Sequence, residues 1–457
     1  MVTLQTLIGA LAVALSFKPV GLWFLAPIGY ALFMKALLTT RRRFSVGLSF
    51  GFLANSIILY WSGSYVGSLP WLLLSILQAL YLIPVAFLAK YKNVPLLIFA
   101  LLLMDEVKSR FPFGGFGWTR IAFSQTDSPL VNFVAVIGAT GLSFLTLLIT
   151  QAILTRNPAT FSILFIALVL APFLISSTPS TSTLSVRAVQ GGVPEPGLNF
   201  NQRALEVMKM HIEVSKATAR PDDDLLVWPE NAIDVDPFNN VEAKTLLDEF
   251  FTEVKVPLIS GAVIERNGLR NVTIKFDGSE QTVYEKRYLT PFGEFIPLRP
   301  LAELVSPYTD MVRDFTPGDS LNTHRVSGID VASVICYEIL NDGILRQSAQ
   351  SSKLILVHTN SATFFGTAEG EQQLAITRIR AIEHQRSIVS VSTTGPSAII
   401  NPRGEVIEKL VEGERGSLSQ LVALSDGETI SDRLGGWAPI LVIFASLLLS
   451  IAQRRRS

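Results

Sequence analysis

The feature that most constrains this chain is a division of labour along its length. From Met1 to about Ser176 apolar runs are long and charges sparse, from about Thr178 to Arg433 charged and apolar residues alternate, and Leu434 to Ala452 is apolar again. A helix needs roughly 20 mostly apolar residues to cross a bilayer. Candidate spans are the first stretch, VTLQTLIGALAVALSF, then residues 20–38, 44–62, 68–89, 94–110, 129–153, 160–176 and 436–452. The sequence therefore predicts a membrane α-helical bundle of about eight spans: N-terminal helices over 1–176 and a C-terminal helix with a basic tail over 434–457. Residues 177–433 form a domain outside the bilayer. Only 17% of the chain is charged, against about a quarter in soluble proteins.

Orientation follows from the loops. Arg41, Arg42 and Arg43, then Lys90 and Lys92, then Arg156, then the terminal Arg454, Arg455 and Arg456 all fall on one face if the N-terminus is inside. Positive loops stay cytoplasmic, which puts 177–435 outside and both termini in the cytoplasm. Lys108, Arg110 and Arg120 count against this. They lie in an aromatic-rich segment at 105–129 with Phe111, Phe113, Phe116, Trp118 and Phe123, which suits a headgroup-level anchor or a lipid access route.

In the middle region strands alternate with helices. LSVRAVQ, DDLLVWPE (running into a loop), VPLISGAVIE, GIDVASVIC and KLILVHT read as strands; RALEVMKMHIEVSKAT, VEAKTLLDEFFTEV and EGEQQLAITRIRAIEHQR read as helices, the last amphipathic. NVTIKF and TVYEKRY form a hairpin across Asp277-Gly278, and SIVSVSTT, SAIINP and EVIEKLV finish as strands. The pattern is α/β with antiparallel parts. With 38 basic and 38 acidic residues no field selects nucleic acid, and nothing in the sequence speaks to oligomeric state.

Three apolar strands run into chemistry. LLVWPENA ends at Glu230, VYEKRYLTPFGEFIP carries Lys286 and Glu294, and VASVICYEIL holds Cys336, the one cysteine, followed by Tyr337 and Glu338. Strand ends and the loops beyond them are where α/β folds place reactive groups. A thiol attacks only as thiolate and needs a base and a nearby positive charge. Glu230 can take the proton, and Lys286 can favour the thiolate and an oxyanion. Singly, each has a structural reading: Cys336 in core packing, Glu230 as a loop acid or helix cap, Lys286 as a solvated strand residue. His211, His324, His358 and His384 sit in no recognisable motif, and no HExxH or CxxC spacing predicts a metal site.

The order Glu, Lys, Cys in the contexts WPE, EKRYLTPFGE and ICYE resembles the carbon–nitrogen hydrolase (nitrilase) superfamily. KRYLTPFGEFIP together with the flanking apolar segments resembles the apolipoprotein N-acyltransferase family, as do RAVQGGVP, FGWTRIAFSQ, TNSATFFG and QQLAITRIRAIEHQR. The resemblance implies an αββα sandwich outside the bacterial inner membrane and a two-step, ping-pong acyl transfer without cofactor or metal. Cys336 takes a fatty acyl group from the sn-1 ester of a phospholipid as a thioester. The α-amine of an apolipoprotein's S-diacylglyceryl-cysteine then removes it. Glu230 serves as base, Lys286 stabilises the oxyanions, and Glu294, Tyr337 and Glu338 support them. Where many members read Asn-Asp-Ala-Trp-Phe this chain has Asn360, Ser361, Ala362, Thr363, Phe364 and Phe365. Substrate contacts are implied at Asn360, Phe364 and Phe365, and the family's Trp has no counterpart.

Two other functions compete. A membrane-tethered amidase of the same fold would release ammonia and give no lipid adduct. A transporter or scaffold would need charges along a path through the spans, and few are present. Residues 295–317, FIPLRPLAELVSPYTDMVRDFTP, mix apolar and charged side chains and suit either an interfacial arm or a surface loop.

Overall fold

A computed structural model describes residues 2–64, 66–174, 182–196, 204–278, 280–304, 309 and 312–454. Most of the Ser/Thr-rich stretch at 176–183, residues 305–308, 310 and 311 of the 295–317 segment, and Arg455 and Arg456 of the basic tail lie outside the described residues. The chain forms two compact units, Met1–Ser176 with Thr429–Ser457, and Ser177–Glu428.

The first unit is helical. Ser68–Tyr91 and Val131–Thr155 are long and apolar enough to cross a membrane; Val2–Ser16, Leu25–Thr39, Arg43–Ile58, Pro158–Phe173 and Trp437–Ala452 are shorter apolar helices. Val94–Lys108 ends in Asp105, Glu106 and Lys108. Gly9 and Gly29 let the first two helices touch: a Cβ on Gly29 would stand 2.6 Å from the Gly9 carbonyl oxygen. Beside that contact Phe33 stacks on Phe50 at 4.1 Å. Close approach through small residues is how helices associate where hydrophobic driving force between them is absent.

The segment 105–129 divides in two. Phe111 and Phe113 are exposed, as a headgroup anchor requires, whereas Trp118 and Phe123 are core residues. The three cations that count against the topology pair with two acids, which leaves one positive charge over. Lys108 pairs with Asp105 at 2.8 Å, Arg120 with Glu106 at 2.7 Å, and Arg110 also pairs with Glu106. Arg120 is buried in its pair, whereas the Arg110 side chain is 54% exposed and still counts against the orientation.

The second unit is two six-stranded sheets. In the first, β1 (Thr183–Gln190), β2 (Leu225–Val227) and β3 (Leu258–Glu265) run parallel, and β4 (Leu269–Asp277) and β5 (Glu280–Glu285) continue antiparallel. The second repeats this plan. Here β7 (Ile329–Ile335), β8 (Leu354–Thr359) and β9 (Ser387–Ser392) are parallel, with β6 (His324–Val326) on one edge and β10 (Ser397–Ile400) and β11 (Val406–Leu410) on the other. The final strand, β12 (Gly416–Ala423), pairs antiparallel with β1.

Helices Glu206–Thr218, Val241–Glu253, Asp342–Ser351 and Glu369–His384 fill the parallel crossovers. Parallel strands covered on both faces read as continuous apolar runs, and LILVHT of β8 is buried at every residue. Leu184, Val227, Val331, Leu356 and Val389 belong to one core drawn from both sheets. A second core packs Trp228, Leu258 and Ile274 against Leu247 and Phe250. The layers are therefore helix, sheet, sheet, helix.

One expectation is corrected. The helix Glu369–His384 is not amphipathic: all but two of its sixteen residues are buried. Arg380 is satisfied inside the protein, by the carbonyls of Ile339 (2.9 Å) and Leu340 (3.3 Å) and by Asp342 (2.7 Å).

Candidate active site

Glu230, Lys286 and Glu294 come together, with Cys336 beside them. The turn after β2 places the first. Trp228 N–H donates to Ile259 O (2.9 Å) and Gly261 N–H donates to Pro229 O (3.1 Å), so the Pro229–Glu230 loop lies flat on β3. Only glycine fits beneath it, since a Cβ on Gly261 would stand 2.5 Å from both Glu230 Cα and Pro229 O. Gly261→Ala therefore has to push the loop away. We expect it to cost about 1–3 kcal/mol in thermal unfolding and, through misplacement of Glu230, about 100-fold in rate.

Lys286 sits one residue past β5, where its N–H donates to Asn271 O on β4 at 2.8 Å. Its side chain is 1% exposed and lies between two acids, 2.7 Å from Glu294 and 3.4 Å from Glu230. Asn271 Nδ2 donates to both carboxylates at 2.7 Å, and Thr290 N–H donates to the second Glu294 oxygen at 2.7 Å. Burial alone would lower the lysine's pKa, but the Glu294 and Glu230 carboxylates outweigh it and hold the ammonium well above the usual range. For Glu230 burial dominates and raises the carboxyl, with the Lys286 charge pulling the other way.

Cys336 follows β7 directly and is half-buried, with φ of 47°. A side chain in the left-handed region costs about 1–2 kcal/mol, and such strain clusters at functional turns. Burial, then the Glu230 carboxylate, pushes the thiol well above its ordinary pKa, while Lys286 opposes both. Burial thus favours the protonated form of the thiol, and the nearby Lys286 charge favours the thiolate. Gln373 Nε2 stands 3.8 Å from the sulfur.

The supporting residues fall into two groups. Glu294 is within the cluster. Glu338 is fully buried and braces the turn: it accepts from Ile335 N–H (2.8 Å), Arg287 N–H (2.7 Å), Tyr288 N–H (3.2 Å) and Tyr284 OH (2.9 Å). It thereby ties the backbone beside Lys286 to the backbone before Cys336. Burial raises its pKa, and the Ile335 N–H and the Lys286 charge hold it down. Glu338→Gln turns an NH₂ donor toward these donors, and we expect it to cost about 3 kcal/mol in chemical denaturation. Tyr337 is buried against Tyr288, rings parallel within 14° and 5.3 Å apart.

Asn360, Phe364 and Phe365 follow β8, whose end lies beside that of β7 through the pair Ile335 and His358. Asn360 Oδ1 accepts from Thr393 Oγ1 at 2.8 Å, which occupies it within the fold. Phe364 and Phe365 are partly exposed.

Sequence reasoning missed Asn271, Gln373, Glu369 and His358. His358 is held near pKa 4 by burial. It donates from Nδ1 to Trp228 O at 2.8 Å, and its Nε2 accepts from Ser333 Oγ at 3.1 Å. It therefore positions the strand end that carries Glu230. Among the described residues no cluster suits a metal ion.

Comparison with known proteins agrees with this architecture. Residues 185–431, more than half the chain, match the family model for carbon–nitrogen hydrolase, so the second unit is a domain of that class. Residues 9–152 match the apolipoprotein N-acyltransferase N-terminal domain. The chain is 31% identical to the apolipoprotein N-acyltransferase of Mycolicibacterium smegmatis, covering 97% of this chain and 84% of the relative. It is 28% identical to that of Shewanella oneidensis, covering 99% and 95%. The chain belongs to the apolipoprotein N-acyltransferase family. Among solved structures an amidase from Nesterenkonia sp. is 17% identical, with 55% of this chain and 94% of that chain covered and a TM-score of 0.41.

Proposed function

We propose that this protein N-acylates lipoproteins. A fatty acyl group moves from a phospholipid to Cys336, and from there to the α-amine of an S-diacylglyceryl-cysteine at an apolipoprotein N-terminus. What carries the reading is a half-buried thiol beside an acid–ammonium–acid cluster, in a family whose named members are apolipoprotein N-acyltransferases.

In the first half-reaction the Cys336 sulfur attacks the sn-1 ester carbonyl while Glu230 takes the thiol proton. The oxyanion forms near Lys286, whose charge is fixed in a water-poor site and needs no reorganisation. Collapse breaks the carbon–oxygen bond, Glu230 returns the proton to the departing glycerol oxygen, and lysophospholipid leaves. In the second half the amine attacks the thioester, Glu230 takes a proton from nitrogen and passes it to the departing sulfur, and the amide forms. Glu294 and Asn271 hold the lysine and the base in register, and Glu338 and Tyr337 brace the turn.

Both substrates are lipids, which gives the helical unit its purpose. We read the seven apolar helices and Val94–Lys108 as spans, with both termini cytoplasmic and the catalytic unit outside the bacterial inner membrane. Pro158–Leu170 leaves Phe161, Ile163, Phe165, Ile166, Leu168 and Val169 exposed, and Trp437–Arg454 leaves Ile440, Leu441, Phe444 and Leu448 exposed. Contiguous apolar surface of that extent is stable only against lipid or another apolar surface. In the catalytic unit Leu298, Leu301 and Leu304 are 61%, 61% and 83% exposed. They lie on the segment anchored by the Phe315 N–H bond to Glu294 O (2.7 Å), and we assign it to the membrane interface.

The deciding measurement is intact mass after incubation with phospholipid vesicles. A fatty-acyl adduct on the wild type supports the proposal. Ammonia release from small amides with no adduct would establish an amidase instead.

A further inference from the structure

Glu369 is not used by the mechanism above, yet it belongs to the same site. It lies four residues before Gln373 on the helix Glu369–His384, and residues four apart share a face. Gln373 faces the Cys336 sulfur, and the Glu369 carboxyl is close enough for its charge to bear on the thiol. The residue is 3% exposed. Ser361 hydrogen-bonds to the carboxyl, and Glu412 and Glu230 are the other charged groups acting on it. No cation is among them. Its Oε2 is buried and has no hydrogen-bond partner among the described residues. A buried carboxyl oxygen without a partner costs free energy in the empty protein, so a ligand group that binds there recovers it.

The acceptor supplies such a group. An α-amine is ordinarily protonated up to about pH 7.7–8.0, and an ammonium cannot attack. It has to enter a buried site and shed a proton first. Glu230 and Glu294 already share the charge of Lys286, which leaves Glu369 as the acid without a counterion.

Building on the proposed acyl transfer, we infer that Glu369 is the docking group for the acceptor's α-ammonium and takes its first proton. Burial raises the Glu369 carboxyl to about 8, so it can take up a proton that an ordinary carboxylate would leave on the amine. In the empty acyl-enzyme the carboxyl holds a proton. Binding of the ammonium releases that proton to solvent and forms the ion pair. The proton then moves from nitrogen to Glu369, the neutral amine attacks the thioester carbon, and the second nitrogen proton passes through Glu230 to sulfur. The products are the amide and the free thiol, and one proton has been released overall.

The test separates the two half-reactions in full-length Glu369→Gln reconstituted in phospholipid vesicles. Acylation of Cys336, read by intact mass, should change far less than transfer does. Transfer to a diacylglyceryl-cysteine peptide should slow by about tenfold or more, with most of the loss in acceptor KM. Hydroxylamine, uncharged at neutral pH, should discharge both acyl-enzymes equally fast, a result that general damage to the site would not produce. Glu369→Asp should recover part of the transfer rate. Normal peptide transfer by Glu369→Gln, or equal slowing with hydroxylamine, would overturn the inference. Absence of an acyl adduct on the wild type would instead overturn the acyl-transfer reading on which it rests.

Discussion

Cys336→Ala gives a folded protein that gains no mass from phospholipid. The sulfur is the one nucleophile in the cluster, so acyl transfer should fall by at least about 1,000-fold, to whatever binding and the oxyanion environment supply alone. Stability should change little, because alanine keeps the Cβ and the turn is held by Glu338 through Ile335 N–H, Arg287 N–H and Tyr288 N–H and not by the sulfur. Intact mass and a thermal melt on the same sample check both halves. A variant that still carries acyl groups would place the nucleophile elsewhere.

Lys286→Met fails differently. It leaves Glu230 and Glu294 joined through Asn271 with no cation between them. Removing one partner of a buried ion pair costs about 3–5 kcal/mol, and here two acids lose the same partner. Loss of the Lys286 charge and repulsion from Glu294 drive the Glu230 carboxyl further upward, which favours its protonated form over the base the thiol needs. Acylation should be undetectable and the melting temperature clearly lowered. Adding Glu294→Gln removes the repulsion and should return part of the stability without any acylation. An adduct forming at the normal rate on Lys286→Met would remove the lysine from the chemistry.

The sequence exposed Glu230, Lys286 and Cys336 because each closes an apolar strand and is followed by a polar turn. It hid Asn271 because NVTIKF reads as an ordinary alternating strand. Only the hairpin register, with Val272 opposite Glu285, reveals that residue 271 faces residue 286. Glu369 and Gln373 were masked by a helix whose polar residues imitate a solvated face, while their partners lie in segments distant in sequence. The strand β12 was overlooked because GSLSQLVA is weakly patterned and its partner β1 lies more than two hundred residues earlier. Helix positions were legible from apolar runs, but their lengths were not. Several of the helices are 15 residues long, because prolines, glycines and 3₁₀ turns trim their ends.

The pairing of β1 with β12 also says something about ancestry. Thr183 stands opposite Ala423, and partners across an antiparallel ladder lie about 5 Å apart at Cα. The hydrolase unit thus begins and ends at one seam. A self-contained enzyme with adjoining termini can be spliced into a host gene at a single exposed turn without rethreading either partner. Adjoining ends of this kind let a unit fold as one block whatever segments precede and follow it.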